Sequence, residues 1–110
     1  MGLGADLAVE LRRIELALAE NQVRLEVRAA ARALEAGQER LAAASEAASL
    51  ARAQLEAERQ RLDLGLGDSF RLLETEENAV QAELEEVRAR YDLARAASFY
   101  RLATGTVLSG

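Results

Sequence analysis

The sequence predicts an all-α protein, a long antiparallel two-helix coiled-coil hairpin in which the first helix is longer than the second. The 110 residues contain no proline and are rich in alanine, leucine, glutamate and arginine, which are strong helix formers. Apolar residues recur with a seven-residue period over much of the chain. Only one interior stretch, from Leu64 to Ser69, combines glycines and cap residues that would end one helix and begin another.

Composition narrows the functions open to the chain. Without cysteine or histidine it lacks thiolate and imidazole metal ligands and the usual general base. All 14 basic residues are arginine, and they are interleaved with 19 acidic residues, a pattern that argues against a nucleic-acid surface. Gly65 and Gly67 follow a helix, whereas a dinucleotide site needs a preceding strand. We therefore predict that the protein is not an enzyme and has no catalytic, cofactor-binding or metal-binding residues.

The chain also lacks the features of a membrane-inserted or exported segment. No run approaches ~18 consecutive apolar residues, as a transmembrane helix would require. The N-terminus has neither the basic nor the apolar region of a signal peptide. Taken alone, the chain is expected to be soluble, with no direct membrane segment.

The first helix is predicted over residues 5–64, after a flexible lead-in at residues 1–4. From Val27 onward one residue recurs every seven, and a second row lies three places later. The two rows form a seam that should face a partner helix and impose a left-handed supercoil. The seam residues are Val27, Ala30, Leu34, Gly37, Leu41, Ala44, Ala48, Ala51, Leu55, Glu58 and Leu62. Gly37 predicts close backbone contact with a neighbour.

Residues 65–68 are predicted to form the turn of the hairpin. Either Gly65 or Gly67 could adopt the positive φ that ends the incoming helix. Asp68 or Ser69 could then cap the next helix. That helix is predicted over residues 69–104 and is followed by a tail at residues 105–110. Its face toward the first helix is predicted to contain Phe70, Leu73, Val80, Leu84, Val87, Tyr91, Ala94 and Ser98.

The two predicted helices differ in length by enough to leave part of the longer one bare. The second helix should reach back only to the region of Val27 to Gly37, so apolar residues near the N-terminus have no partner within the chain. These residues are Leu7, Leu11, Ile14 and Leu18. A two-helix hairpin is also too thin to bury a core, so we expect a homo-oligomer or a larger helical barrel.

Several segments, in order and spacing, resemble the C-terminal helical hairpin region of the TolC-like outer membrane efflux proteins. The matching segments are Leu25 to Ala30, Arg61 to Gly65 at the glycine turn, Phe70 to Thr75 after it, Ala82-Glu83, Ala89 to Tyr91, and Leu102 to Leu108. In that family one long helix is flanked by two shorter ones stacked end to end. The resemblance therefore also implies a missing upstream helix that would cover the bare N-terminal stretch.

The resemblance implies a structural and docking segment of an efflux duct, located in the periplasmic portion of a bacterial outer membrane protein. The hairpin would wall a periplasmic tunnel for substrate export, in a full-length protein that forms trimers. Its partners would be a periplasmic adaptor (membrane fusion) protein and an inner-membrane pump. The predicted partner-binding tip consists of Leu64, Gly65, Leu66, Gly67, Asp68, Ser69 and Phe70.

Two alternatives remain open from the sequence. The chain could be a soluble coiled-coil interaction module, such as the hairpin of an efflux adaptor, that binds a partner without walling a channel. The tip residues could also do no more than close the hairpin. Beside the tip, Glu74, Glu76 and Glu77 could bind a cation, although we predict that they are first-turn acids that suit the helix dipole.

Overall fold

The structure, a computed structural model, describes residues 2–109, with side chains from residue 2 to residue 105. Two helices make up this part of the chain: α1, Gly2–Asp63, and α2, Ser69–Ser109. They pack against each other as a hairpin, and residues 2–109 contain no strand. The predicted all-α hairpin with a longer first helix is therefore confirmed. The described part measures 96 × 20 × 13 Å, and its length follows from the 62 residues of α1 rising ~1.5 Å each.

The helices extend further toward the chain ends than the sequence predicted. α1 begins at Gly2, inside the predicted lead-in, and α2 continues through Ser109, past the predicted end at residue 104. Gly105 does not end α2, because it lacks the positive φ of a left-handed cap. The Thr104 hydroxyl donates to the Tyr100 carbonyl at 2.8 Å, a bond compatible with a continuing helix. The outermost residues of the predicted lead-in and tail, Met1 and Gly110, lie outside the described residues.

The α1 face that meets α2 is the predicted seam. Every seam residue from Val27 to Leu62 is buried or half-buried. A Cβ placed on Gly37 would lie 3.4 Å from Leu93 Cδ1, which confirms that this glycine contacts a neighbouring helix closely. Among the residues whose side chains are described, the buried hydrophobic ones are all alanines: Ala48, Ala51 and Ala79. Small residues at the centre of the seam let the two helices approach each other.

The α2 face that meets α1 is not the predicted one. All eight residues predicted for it, from Phe70 to Ser98, are exposed. The face that packs on α1 has smaller side chains, and its residues recur at alternating steps of three and four. It consists of Leu72, Thr75, Ala79, Ala82, Glu86, Ala89, Leu93, Ala96, Tyr100 and Ala103, all buried or half-buried. Its alanines fit the small residues of the α1 seam, whereas the predicted face would have set large side chains against one another.

Ion pairs flank the packed face near the turn. Arg52 lies 3.5 Å from Glu83, and Arg59 lies 4.0 Å from Glu76, with both pairs partly exposed. Such pairs stabilise a fold only weakly, by ~0.2–1 kcal/mol each, but they occur in one alignment of the helices. They therefore favour the observed face and register of α2 over the alternatives.

Candidate interaction surfaces

The turn of the hairpin begins with a left-handed glycine. Gly65 has a φ of 75°, so of the two glycines left open by the sequence it is the one that ends α1. The Leu66 N–H donates to the Arg61 carbonyl at 2.8 Å, and the Gly65 N–H donates to the Leu62 carbonyl at 3.0 Å. These two bonds form a Schellman motif, which satisfies carbonyls at the end of α1.

Gly67 and Asp68 complete the turn and start the second helix. A Cβ on Gly67 would lie 2.8 Å from the Leu62 backbone nitrogen, so only glycine fits this close approach. Asp68 is the N-cap of α2, because its Oδ1 accepts a hydrogen bond from the Phe70 N–H at 2.8 Å. Its carbonyl accepts from the Leu72 N–H at 3.0 Å. Ser69 is therefore the first helical residue. Of the two cap residues that the sequence leaves open, Asp68 and Ser69, the structure uses Asp68.

The tip presents three large apolar side chains to solvent. Leu64 is 74% exposed, Leu66 69% and Phe70 83%. None of the three is needed to close the turn, which depends on the two glycines and Asp68. The predicted tip thus divides into residues that shape the backbone and residues that remain available for contact with another molecule.

A second apolar surface, which the sequence does not predict as a site, runs along the back of α2. We define the α2 stripe as Leu73, Val80, Leu84, Val87 and Tyr91, each more than half exposed. In every heptad these residues occupy positions on the side of the helix opposite the face that packs on α1. Shallow grooves lie along it beside Leu73 and Val80, and beside Tyr91 and Ala94. α2 carries two seven-residue repeats, and the prediction places the one with the larger residues in the interior, whereas the structure places it on the outside.

Charged residues lie along the α2 stripe in a definite order. At the end near the turn, Glu74 lies beside the row and Glu77 lies within it, seven residues before Leu84, while Arg88 and Arg95 lie beside the row toward the other end. Neither Glu74 nor Arg88 has an ion-pair partner within the part of the chain whose side chains are described. The Arg95 guanidinium lies 5.9 Å from the centre of the Tyr91 ring. The stripe is therefore apolar in the middle, acidic at one end and basic at the other.

The N-terminal part of α1 carries a third exposed apolar row. Its members, which are all at least half exposed, are Leu7, Leu11, Ile14, Leu18 and Leu25. The prediction that the residues from Leu7 to Leu18 lack a partner within the chain is confirmed for the described residues. Both signs of charge are mixed along this row, with Glu10, Arg12, Arg13 and Glu15 close together.

The acidic residues beside the tip are not placed as predicted. The first turn of α2 contains no acidic residue, because the helix begins at Ser69 and Glu74 lies in its second turn. The predicted helix-dipole role of Glu74, Glu76 and Glu77 is therefore wrong, since that effect fades beyond the first turn. Glu76 instead lies 4.0 Å from Arg59 of α1. Among residues with described side chains, no group of three or more potential ligands could hold a metal ion.

Over their described lengths, neither α1 nor α2 contains a window apolar enough to span a bilayer. No protein-family model, curated protein or solved structure matches the chain. The resemblance to TolC-like proteins therefore stays a prediction based on the residues quoted above.

Proposed function

We propose that this chain is a structural and docking hairpin that packs into a larger helical assembly through its exposed faces and binds a partner protein through its tip. The observation that carries the proposal is the α2 stripe. Five apolar side chains stand in a row on a helix that already packs on α1 with its other face. Contiguous exposed apolar surface of this kind marks interaction sites.

The resemblance suggests a specific form of this role. The assembly would be the periplasmic tunnel of a TolC-like outer membrane efflux duct, with the hairpin as part of its wall. The tip would contact a periplasmic adaptor protein that connects the duct to an inner-membrane pump. The length of α1 and the bare row from Leu7 to Leu25 support this form, because a wall helix of that family is flanked by more than one shorter helix.

The packing role is tested by measuring association of the chain in solution. Light scattering over a range of concentrations should show that the unmodified chain forms oligomers. Leu84→Glu places a charge in the centre of the α2 stripe and should weaken association, since the carboxylate would have to be desolvated. Leu50→Glu is the matched control, because Leu50 on the back of α1 is 59% exposed and Leu84 is 51% exposed. Circular dichroism should show the same helical content in all three proteins.

Two results would contradict the packing role. One is a stable helical monomer at every concentration. The other is an equal loss of association in the Leu84 and Leu50 variants, which would mean that the α2 stripe has no special part in it.

The docking role is tested at the tip. Binding of the chain to purified periplasmic adaptor hairpins should be weakened in Phe70→Ser and Leu66→Ser, because a few anchor side chains at the centre of an interface carry most of its binding energy. Both substitutions leave Gly65, Gly67 and the Asp68 cap intact, so the turn should keep its shape. Binding that is unchanged in both variants would show that the tip residues only close the hairpin.

A free-standing interaction module, such as an efflux adaptor hairpin, is the second candidate. The exposure of Leu64, Leu66 and Phe70 favours it, since a tip can bind a partner without any wall around the hairpin. This candidate predicts a helical monomer whose partner binding depends on Phe70. The light-scattering experiment therefore separates the two candidates.

A further inference from the structure

We infer that the α2 stripe pairs two copies of this chain, with their α2 helices packed antiparallel. The inference rests on the packing role proposed above and adds that the molecule covering the stripe is a second copy of the chain. It concerns the 110-residue chain by itself, whose described residues, 2–109, form α1 and α2.

The order of charges along the stripe selects the antiparallel direction. Glu74 and Glu77 lie at the end near the turn, while Arg88 and Arg95 lie toward the opposite end. When two α2 helices run antiparallel, the acidic end of each meets the basic end of the other. In a parallel pair, acid would lie beside acid and arginine beside arginine. Like charges that face each other across an interface are destabilising.

The apolar residues support one register of that pair. If the two-fold axis passes between Leu84 and Val87, Leu84 of each copy packs on Val87 of the other, and Val80 packs on Tyr91. The same register sets Glu74 near Arg95 and brings Leu73 level with Ser98. Because the same patch is used on both copies, the contact closes after two chains and does not propagate.

The other surfaces of a second copy fit the stripe less well. Between Val27 and Asp63, the back of α1 has only one large exposed hydrophobic residue, Leu50, so it offers no apolar row. The N-terminal row of α1 is apolar, but its charges alternate in sign over short distances and lack the end-to-end order of the stripe. Among the three exposed surfaces compared over residues 2–105, the α2 stripe is the one that is complementary to itself in both hydrophobicity and charge.

Single-cysteine variants test the direction of pairing, because the chain has no cysteine of its own. Leu73→Cys and Ser98→Cys are prepared separately and oxidised both alone and as an equal mixture. Antiparallel pairing predicts a disulfide-linked dimer in the mixture and little in either variant alone. The reason is that position 73 of one copy lies opposite position 98 of the other, and neither lies opposite itself. Leu50→Cys, on the back of α1, is the control for random collision. In any mixture it should form no more disulfide-linked dimer than chance encounters between chains produce.

A charge-reversal set provides a second readout that needs no covalent bond. Glu74→Arg and Arg95→Glu should each weaken association several-fold, because each places like charges across the interface. The double variant should restore association toward that of the unmodified chain, since it exchanges the signs of an existing pair. In a parallel dimer, position 74 would face position 74 of the other copy and position 95 would face position 95, so each reversal would keep like charges opposed, and neither the loss nor the rescue would occur.

The outcomes separate this inference from the proposed function. Oligomers that depend on Leu84 but lack the Leu73–Ser98 link and the charge rescue would overturn antiparallel pairing alone. Leu73→Cys and Ser98→Cys variants that each link to themselves would overturn it in favour of a parallel pair. A chain that stays monomeric would contradict both the inference and the packing role.

Discussion

Gly37 of α1 lies against Leu93 of α2, so close that a Cβ on the glycine would be 3.4 Å from Leu93 Cδ1 and 3.5 Å from Leu93 Cα. Both distances are ordinary van der Waals contacts, so the site has room for one methyl group and no more. Gly37 does not have a positive φ, and an L-residue can adopt its helical backbone without strain. The glycine is therefore compatible with close packing without being required by it.

Gly37→Ala should stabilise the protein. Alanine is favoured over glycine in a helix interior by up to ~1 kcal/mol, and the added methyl group meets Leu93 at contact distance. The increase is measurable as a higher urea midpoint at fixed protein concentration. Gly37→Leu is the counterpart, and its larger side chain should lower the free energy of unfolding by about 1–3 kcal/mol through overpacking. Equal destabilisation by alanine and leucine would contradict this account of the site.

Gly67→Ala should destabilise the hairpin. The new Cβ would lie 2.8 Å from the Leu62 nitrogen and 3.0 Å from its Cα, and backbone atoms cannot move aside as a flexible side chain can. We expect a loss of about 1–3 kcal/mol in the free energy of unfolding, measured by chemical denaturation. Gly4→Ala is the control, because nothing lies within 4 Å of a Cβ there, and it should be neutral or slightly stabilising.

Asp68→Ala should also weaken the hairpin, by about 1 kcal/mol, because it removes the acceptor of the Phe70 N–H at the start of α2. Thermal unfolding followed by far-ultraviolet circular dichroism provides the measurement. Asp68→Asn should retain most of the stability, since asparagine is an equally good N-cap. If the alanine and asparagine variants unfold at the same temperature, the capping bond contributes nothing in solution.

Glu58→Leu should raise stability. Glu58 is buried in the seam, its Oε1 has no hydrogen-bond partner, and its Oε2 is 3.9 Å from Arg71 Nε. Replacing a poorly satisfied buried acid with an apolar residue of similar size is expected to be worth about 1–3 kcal/mol. Glu56→Leu, at a nearby exposed position, should change the free energy of unfolding by no more than ~0.5 kcal/mol. A decrease in the free energy of unfolding on replacing Glu58 would show that its contact with Arg71 is stronger than its geometry indicates.

Much of the hairpin could be predicted because the relevant signals are local. Apart from Leu50, the large apolar residues of α1 from Val27 to Leu62 share one seven-residue repeat, so the pattern favours one face for contact with a partner. The turn was also local, since Gly65 has the freedom to adopt a positive φ and Asp68 can cap the next helix. The tip residues follow directly from the position of this turn. What they bind depends on a second molecule and is a proposal.

The packed face of α2 could not be predicted in the same way. α2 has two seven-residue repeats, and the one with the larger apolar residues was assigned to the interior. The structure instead buries the alanine-rich repeat and leaves Leu73, Val80 and Leu84 exposed. As a result, the α2 stripe was missed as a candidate interaction surface.

The amino-acid pattern alone predicts that this protein has two helices, where they turn and which side of α1 faces inward. These features depend on helix propensity, backbone freedom at glycine and a single periodic pattern, all of which act between neighbouring residues. Which side of α2 faces inward depends on contacts between the two helices. That choice depends on the fit of alanines across the seam and on pairs such as Arg52 with Glu83, which come together only when the hairpin closes. Because those residues are far apart in the chain, the pattern within α2 alone could not distinguish its two faces.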